Sequence, residues 1–173
     1  MDEATEAYLK FRRRLMRTEF REEIEWARRI RPEDIDADAF AEAAAGVVLV
    51  SGFRADVANE LMPKVLRQLH RGRPVLDVFG HKGKAKAIEK IWRRRKALFG
   101  KYQQKKTKKE KLTFLETLPW IGPVTKFHLG RNLGMDVAKP DRHLVRIARK
   151  FGRTPRSLCR LVSEETGERV GVV

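Results

Sequence analysis

Cysteine is nearly absent from this sequence: Cys159 stands alone among 173 residues. One thiol excludes an internal disulfide, a structural zinc site built from cysteines, and an iron–sulfur cluster held by four cysteine ligands. A buried, inert side chain is the expectation for it. Long apolar runs are absent as well, since none approaches the roughly twenty residues that cross a bilayer. The start, Met1-Asp2-Glu3-Ala4, lacks the basic-then-apolar order of a secretory leader. A cytoplasmic location is expected, with no membrane partner. No internal repeat is seen, and the only low-complexity stretch is a basic one.

Acidic residues become scarce after residue 60, and that is the informative asymmetry. Residues 1–60 hold ten Lys/Arg against fourteen Asp/Glu, whereas residues 61–173 hold twenty-nine against nine, for a formal net charge of +16 overall. One strongly cationic part reads as a polyanion-binding face rather than as general solubility. No long apolar face accompanies it, so nucleic acid is a better partner than acidic lipid. At 173 residues, with 42% hydrophobic and 36% charged, the chain is ample for a packed core, as one domain or two small lobes.

The pattern along the chain is helical throughout. Residues 2–30 read as one long charged helix, with Tyr8, Phe11, Leu15, Phe20, Ile24 and Ala27 at helical steps. Pro32–Asp36 is an acidic turn, with Asp36 or Asp38 as N-cap of the almost wholly apolar, and therefore buried, helix from Ala39 to Val50. A break at Ser51-Gly52-Phe53-Arg54 precedes a helix from about Ala55 to Leu69. Val75–Phe79 is a short helix or an extended piece, and Lys84 to about Leu98 is another helix, burying Ile88, Ile91 and Trp92. Residues 93–111 carry ten Lys/Arg and one Glu, too basic for a buried helix, and their middle is expected to be a loop. A last helix begins at Thr154-Pro155.

Between these lies the stretch from Leu115 to Ile147. A helix over about Lys109–Thr117, with Leu112, Leu115 and Leu118 facing inward, meets Leu118-Pro119-Trp120-Ile121-Gly122, which has room only for a tight hairpin. Pro123 suits the first position of the following helix, whose apolar stripe is Val124, Phe127, Leu129 and Leu133, ending near Gly134. Pro140-Asp141 opens a third helix bearing Leu144, Val145, Ile147 and Ala148. Backbone N–H groups leading into a helix N-terminus can hold a phosphate.

Two pieces in this order, Leu118-Pro119-x-Ile121-Gly122-x-x-Thr125 and Lys139-Pro140-Asp141-x-His143-Leu144-x-Arg146, resemble the helix-hairpin-helix DNA glycosylase superfamily (HhH-GPD). The likeness extends over about residues 39–162 and is closest in type to 3-methyladenine DNA glycosylase II and endonuclease III-like enzymes, without their iron–sulfur cluster. It implies an all-α, two-lobed fold with a cleft between lobes, running through an N-terminal helix and acidic turn (1–38), a central lobe (39–106), the helix-hairpin-helix (107–135), and the Pro-Asp and C-terminal helices (136–173). Relatives usually continue into a further helix; here the chain is either a compact variant or uses its N-terminal helix in that place.

The implied activity is monomeric removal of a damaged or modified base from duplex DNA, without a cofactor or metal and in association with the nucleoid. The resemblance makes Asp141 the catalytic carboxylate and Leu118, Pro119, Trp120, Ile121, Gly122, Val124 and Thr125 the DNA-binding hairpin. Phe53 or Arg54 takes the position that enters the duplex when a nucleotide is flipped, where an aromatic can replace lost stacking. Basic contacts to DNA are expected from Arg93, Arg94, Arg95, Lys105, Lys106, Lys108, Lys109, Lys139 and Arg142. Trp26, Trp92, Phe127 and His128 are candidates for the base pocket.

Two departures from the family pattern matter. Members that also cut the backbone use a lysine nucleophile two residues after the second hairpin glycine, and Val124 stands there. Lys126 lies about 200° further round the helix, and Lys139 is outside the family's position, so a monofunctional enzyme is implied, with a displaced lysine as the alternative. Trp120 replaces a glycine, and would be strained if that position requires positive φ. Readings from other classes are a non-catalytic DNA-binding module with Asp141 only a cap, and an RNA-binding or ribosome-associated helical protein.

Overall fold

The computed structural model describes residues 1–173 and is all-helical, with no strand. Ten α-helices follow one another: α1 (Glu3–Leu15), α2 (Arg21–Arg29), α3 (Ala37–Val50), α4 (Ala55–His70), α5 (Lys82–Arg93), α6 (Arg95–Gln103), α7 (Lys108–Glu116), α8 (Thr125–Asn132), α9 (Arg142–Lys150) and α10 (Pro155–Thr166). Single 3-10 turns cover Pro32–Asp34 and Val75–Asp77. None of the helices is long and apolar enough to cross a membrane. By their packing the residues form two compact units, one of residues 35–129 and one of residues 1–34 with 130–173.

The first of these is organised around α3. Its N-cap Asp36 accepts from the Ala39 N–H at 2.8 Å, and Phe40, Ala44, Val47 and Val48 are fully buried. The larger of these side chains each contribute about 1.5–3 kcal/mol when buried. Helices α4, α5 and α6 all pack on α3, and α7 packs on α6. A capping box starts α7: the Glu110 N–H donates to Thr107 Oγ1 at 3.1 Å, and the Thr107 N–H donates back to Glu110 Oε2 at 2.9 Å.

Two expectations change here. The helix expected over 84–98 breaks at Arg94 and resumes as α6. The turn lets Arg95 donate to the Trp92 carbonyl at 3.0 Å, lay its guanidinium 4.1 Å over the Trp92 ring, and pair with Asp38 at the start of α3. Nor is the middle of the basic block a loop up to Gln103. Tyr102 is buried, its ring 5.5 Å from Phe40 and 6.3 Å from Phe99, which anchors a helix whose other faces carry cations to solvent.

In the other unit the single helix expected over 2–30 is two. Thr18 donates its hydroxyl to the Leu15 carbonyl at 2.7 Å, and the Phe20 N–H donates to that same hydroxyl oxygen at 3.3 Å. The side chain substitutes for helical backbone bonds and ends α1. Helix α1 packs on α10 and α9 on α10, around Ala4, Ala148, Leu158 and Val162. Cys159 is buried, and burial pushes its thiol up to about 11. Buried Glu168 accepts from Arg28 through both oxygens and pairs with Arg12 at 3.4 Å. Arg169 donates to the carbonyls of Ala27, Ile30 and Gly134 at 3.2, 2.8 and 2.7 Å, tying α2 to the chain beyond α8.

Candidate functional site

The hairpin is built almost entirely from backbone. Leu118 and Ile121 are buried and anchor it, and between them Trp120 has φ 66°, the one residue other than glycine with positive φ. The left-handed region costs a side chain with a Cβ about 1–2 kcal/mol. Its indole is nearly half exposed, meets His81 edge-on at 5.2 Å, and lies so close to Gly83 that a Cβ there would come within 3.0 Å. Pro123 falls two residues before the regular part of α8, although the first helical hydrogen bond already runs from the Lys126 N–H to the Gly122 carbonyl at 3.0 Å.

The backbone N–H groups of Gly122, Val124 and Thr125 lead into α8, and one of the three is occupied. The Gly122 N–H donates to Thr125 Oγ1 at 2.7 Å, which closes the turn. The N–H groups of Val124 and Thr125 meet no acceptor in the chain. They border a shallow open hollow of about 380 Å³ lined by Ser51 and by Trp120 through Thr125. Val124, expected in the apolar stripe of α8, is instead exposed, while Leu129 and Leu133 are fully buried. Gly122 lacks positive φ, and a Cβ there would meet only Thr125 Oγ1, at 4.0 Å. Neither packing nor backbone conformation explains the glycine.

Phe53 stands on the loop after α3, partly exposed, with its ring 5.8 Å from Phe79. Arg54 points to solvent and pairs with Asp56 at 2.7 Å. Beneath Phe53 lies a residue that the motifs of the sequence do not single out. Lys84 is 2% exposed, donates to the carbonyls of Leu49 (3.2 Å) and Ser51, and has its ammonium 4.3 Å from the Phe53 ring centroid and 5.9 Å from that of Trp120. The available signal is register: Lys84 shares the i, i+4, i+7 stripe of buried Ile88 and Ile91.

Asp141 caps α9, and its two oxygens have separate duties. Oδ1 accepts the N–H groups of His143 and Leu144, both at 2.9 Å. Oδ2 takes no backbone bond and faces only Lys139 Nζ at 3.5 Å. Partial burial works against ionisation, but the Leu144 N–H, the Lys139 charge and the His143 N–H outweigh it, so the carboxyl is held below its usual range. The helix is capped and a carboxylate oxygen still projects.

Among the basic candidates, Arg93, Arg94, Lys106, Lys108, Lys109 and Arg142 are exposed, and Lys105 and Lys139 partly so. Arg95 is a structural residue, held by Asp38 and Trp92. Lys126 pairs with Glu116. The base-pocket candidates have separate surroundings: Trp92 is buried against His70 at 4.7 Å, Phe127 is half-buried under Lys126, His128 is partly buried, and Trp26 belongs to α2 and is partly exposed.

This succession of helices, with a hairpin ahead of an aspartate-capped helix in the chain, is an all-helical fold found among solved structures. A solved structure with it is the Methanocaldococcus jannaschii 8-oxoguanine glycosylase/lyase in complex with 15mer DNA containing 8-oxoguanine, with a TM-score of 0.66 at 19% identity over 92% of this chain and 89% of that one. No family model matches the sequence, and no curated protein matches it significantly.

Proposed function

We propose that the protein is a monofunctional DNA glycosylase that hydrolyses the N-glycosidic bond of a damaged or modified base flipped out of duplex DNA. The observation that carries this is the division of labour at Asp141, where Oδ1 serves the helix and Oδ2 is left for chemistry. As the base departs with the bonding electron pair, the sugar gains positive charge, which a fixed carboxylate stabilises; a water that it orients adds its oxygen to the anomeric carbon and gives up a proton to the carboxylate, and the departed base takes a proton from solvent. The paired N–H groups of Val124 and Thr125 suit a backbone phosphate, and the exposed cations of α5 to α7 suit neighbouring phosphates without reading sequence. Phe53 is the wedge.

A valine stands where a backbone-cutting relative would need its amine, Lys126 is engaged by Glu116 and Lys139 faces Asp141, which supports base removal that leaves an abasic site. The test is a panel of duplexes with single modified bases, beginning with 8-oxoguanine and 3-methyladenine, treated with alkali to cut at abasic sites. Strand cleavage that disappears in Asp141→Asn while duplex binding persists is the expected result. Equal cleavage by that variant removes Asp141 from the mechanism. A covalent adduct trapped by borohydride overturns the monofunctional assignment. Tight duplex binding without excision of any base in the panel favours the non-catalytic module.

A further inference from the structure

Lys84 is the one lysine fully inside the protein, and no carboxylate pairs with it. Burial without an anion disfavours the ammonium, and desolvation lowers its pKa from the usual lysine value. An apolar residue there would remove the cost of the buried charge but leave the Leu49 and Ser51 carbonyls without that donor. What the ammonium does is join three elements. It caps the C-terminal carbonyls of α3, at Leu49 and Ser51, where the helix dipole favours a cation. Its remaining faces are covered by Phe53 from the loop after α3 and by Trp120 from the hairpin. Both rings are partly exposed, at 41% and 47%, and Ser51 and Trp120 line the hollow onto which the free N–H groups of Val124 and Thr125 open. Trp120 is also the residue in the left-handed backbone region, and such conformations persist where surrounding structure over-determines them.

We propose that Lys84 is a positioning residue that couples the Phe53 wedge to the Trp120 hairpin, so that a DNA strand held by the hairpin is entered by Phe53 at a fixed step, with the Trp120 indole as a second stacking face for an unstacked nucleobase. This rests on the reading of the hairpin as a DNA site, but not on Asp141 chemistry. Without the ammonium the loop after α3 keeps only the chain of ring contacts Phe53–Phe79–His81–Trp120 to the hairpin, and the wedge is no longer held at a fixed step. Binding to duplex, which depends on phosphate contacts, survives; ordered unstacking does not.

The test uses the full chain and a duplex carrying a tetrahydrofuran abasic analogue beside 2-aminopurine, whose fluorescence rises on unstacking. For wild type a clear rise at saturating protein is expected, and Asp141→Asn should keep it in full. Lys84→Met, close in shape and uncharged, should keep duplex affinity within about threefold, show a Tm near that of wild type because the relieved charge offsets the lost bonds to Leu49 and Ser51, and lose most of the rise. An undiminished rise in Lys84→Met overturns the proposal, as does a loss that comes with an equivalent fall in Tm, or a wild-type protein that binds the probe without unstacking it. Should Lys84→Met fail to fold, a double-mutant cycle of Phe53→Leu and Trp120→Phe decides: a non-additive loss of the rise supports the coupling, and additive losses overturn it. An intact rise with no excision of any base removes the glycosylase and leaves the coupling standing.

Discussion

The hairpin and the Asp141 turn are made by opposite means. At the hairpin the groups proposed to work are backbone N–H donors, and the side chains of three residues shape the turn: Thr125 occupies the Gly122 N–H, and Leu118 and Ile121 anchor the ends. At Asp141 the group proposed to work is a side chain, and backbone aims it through two N–H groups on one oxygen. A backbone site is insensitive to most substitutions and is broken by bulk or altered φ. A side-chain site is broken by one atom. The comparison therefore predicts where small changes are fatal and where they are absorbed.

The largest effect belongs to Asp141→Asn. Asparagine caps helices about as well as aspartate, so the fold should survive with a change below about 1 kcal/mol, while base excision falls by about 10²–10⁴-fold, the range for loss of a positioned acid–base group. Single-turnover excision beside a thermal melt checks both halves. Asp141→Ala, which removes cap and charge together, should lose about 1 kcal/mol more.

Next is Gly134→Ala, which tests the frame that carries the carboxylate. Gly134 has φ +78°, and a Cβ there would come within 2.4 Å of the Arg31 carbonyl carbon and 2.5 Å of Pro32 N. Backbone atoms on both sides leave nothing flexible to yield, so destabilisation of about 3 kcal/mol or more is expected in chemical denaturation. Gly122→Ala should behave in the contrary way. With 4.0 Å to its nearest neighbour the new methyl fits, Tm stays near wild type, and duplex affinity falls by about tenfold because the methyl projects where a phosphate must approach. A Gly122→Ala variant with undiminished affinity would place the phosphate elsewhere.

Much of this was legible in the residues. Asp36 as one of two candidate caps, Asp141 as a cap, Gly134 as a helix stop, α3 as the buried helix and the tight turn at Leu118–Gly122 follow from residue type and spacing, because each rests on local geometry. Elements decided by one side-chain bond or by tertiary contacts differ from the expectation. Thr18 breaks the N-terminal helix without glycine or proline, and α6 forms in a basic stretch because Tyr102 has Phe40 and Phe99 to pack against. At the candidate site the aspartate and hairpin could be named from the sequence, but the donor lost to Thr125, the separate roles of Oδ1 and Oδ2, and the ammonium of Lys84 depend on distances that spacing does not encode.

The smallest predicted effect sharpens the comparison most, because it isolates the charge on Asp141 from its role as a cap. The carboxyl is held below its usual value in the folded protein, so ionised Asp141 contributes stability that is present above the unfolded value of 3.8 and lost as pH falls through the folded value. The Asp141→Asn variant would keep the cap bonds and lack that contribution. Wild type should therefore exceed it by about 0.3–1 kcal/mol near neutrality, the size of a carboxylate at a helix N-terminus, and the two should converge in acid as pH falls from 3.8 through the lower folded value. Removing the neighbouring charge with Lys139→Met should narrow the neutral-pH gap while leaving the Oδ1 bonds in place, since Lys139 faces Oδ2 alone. A gap independent of pH would mean that Asp141 stabilises the fold by its hydrogen bonds only, and that its charge is available to the substrate without any stake in folding.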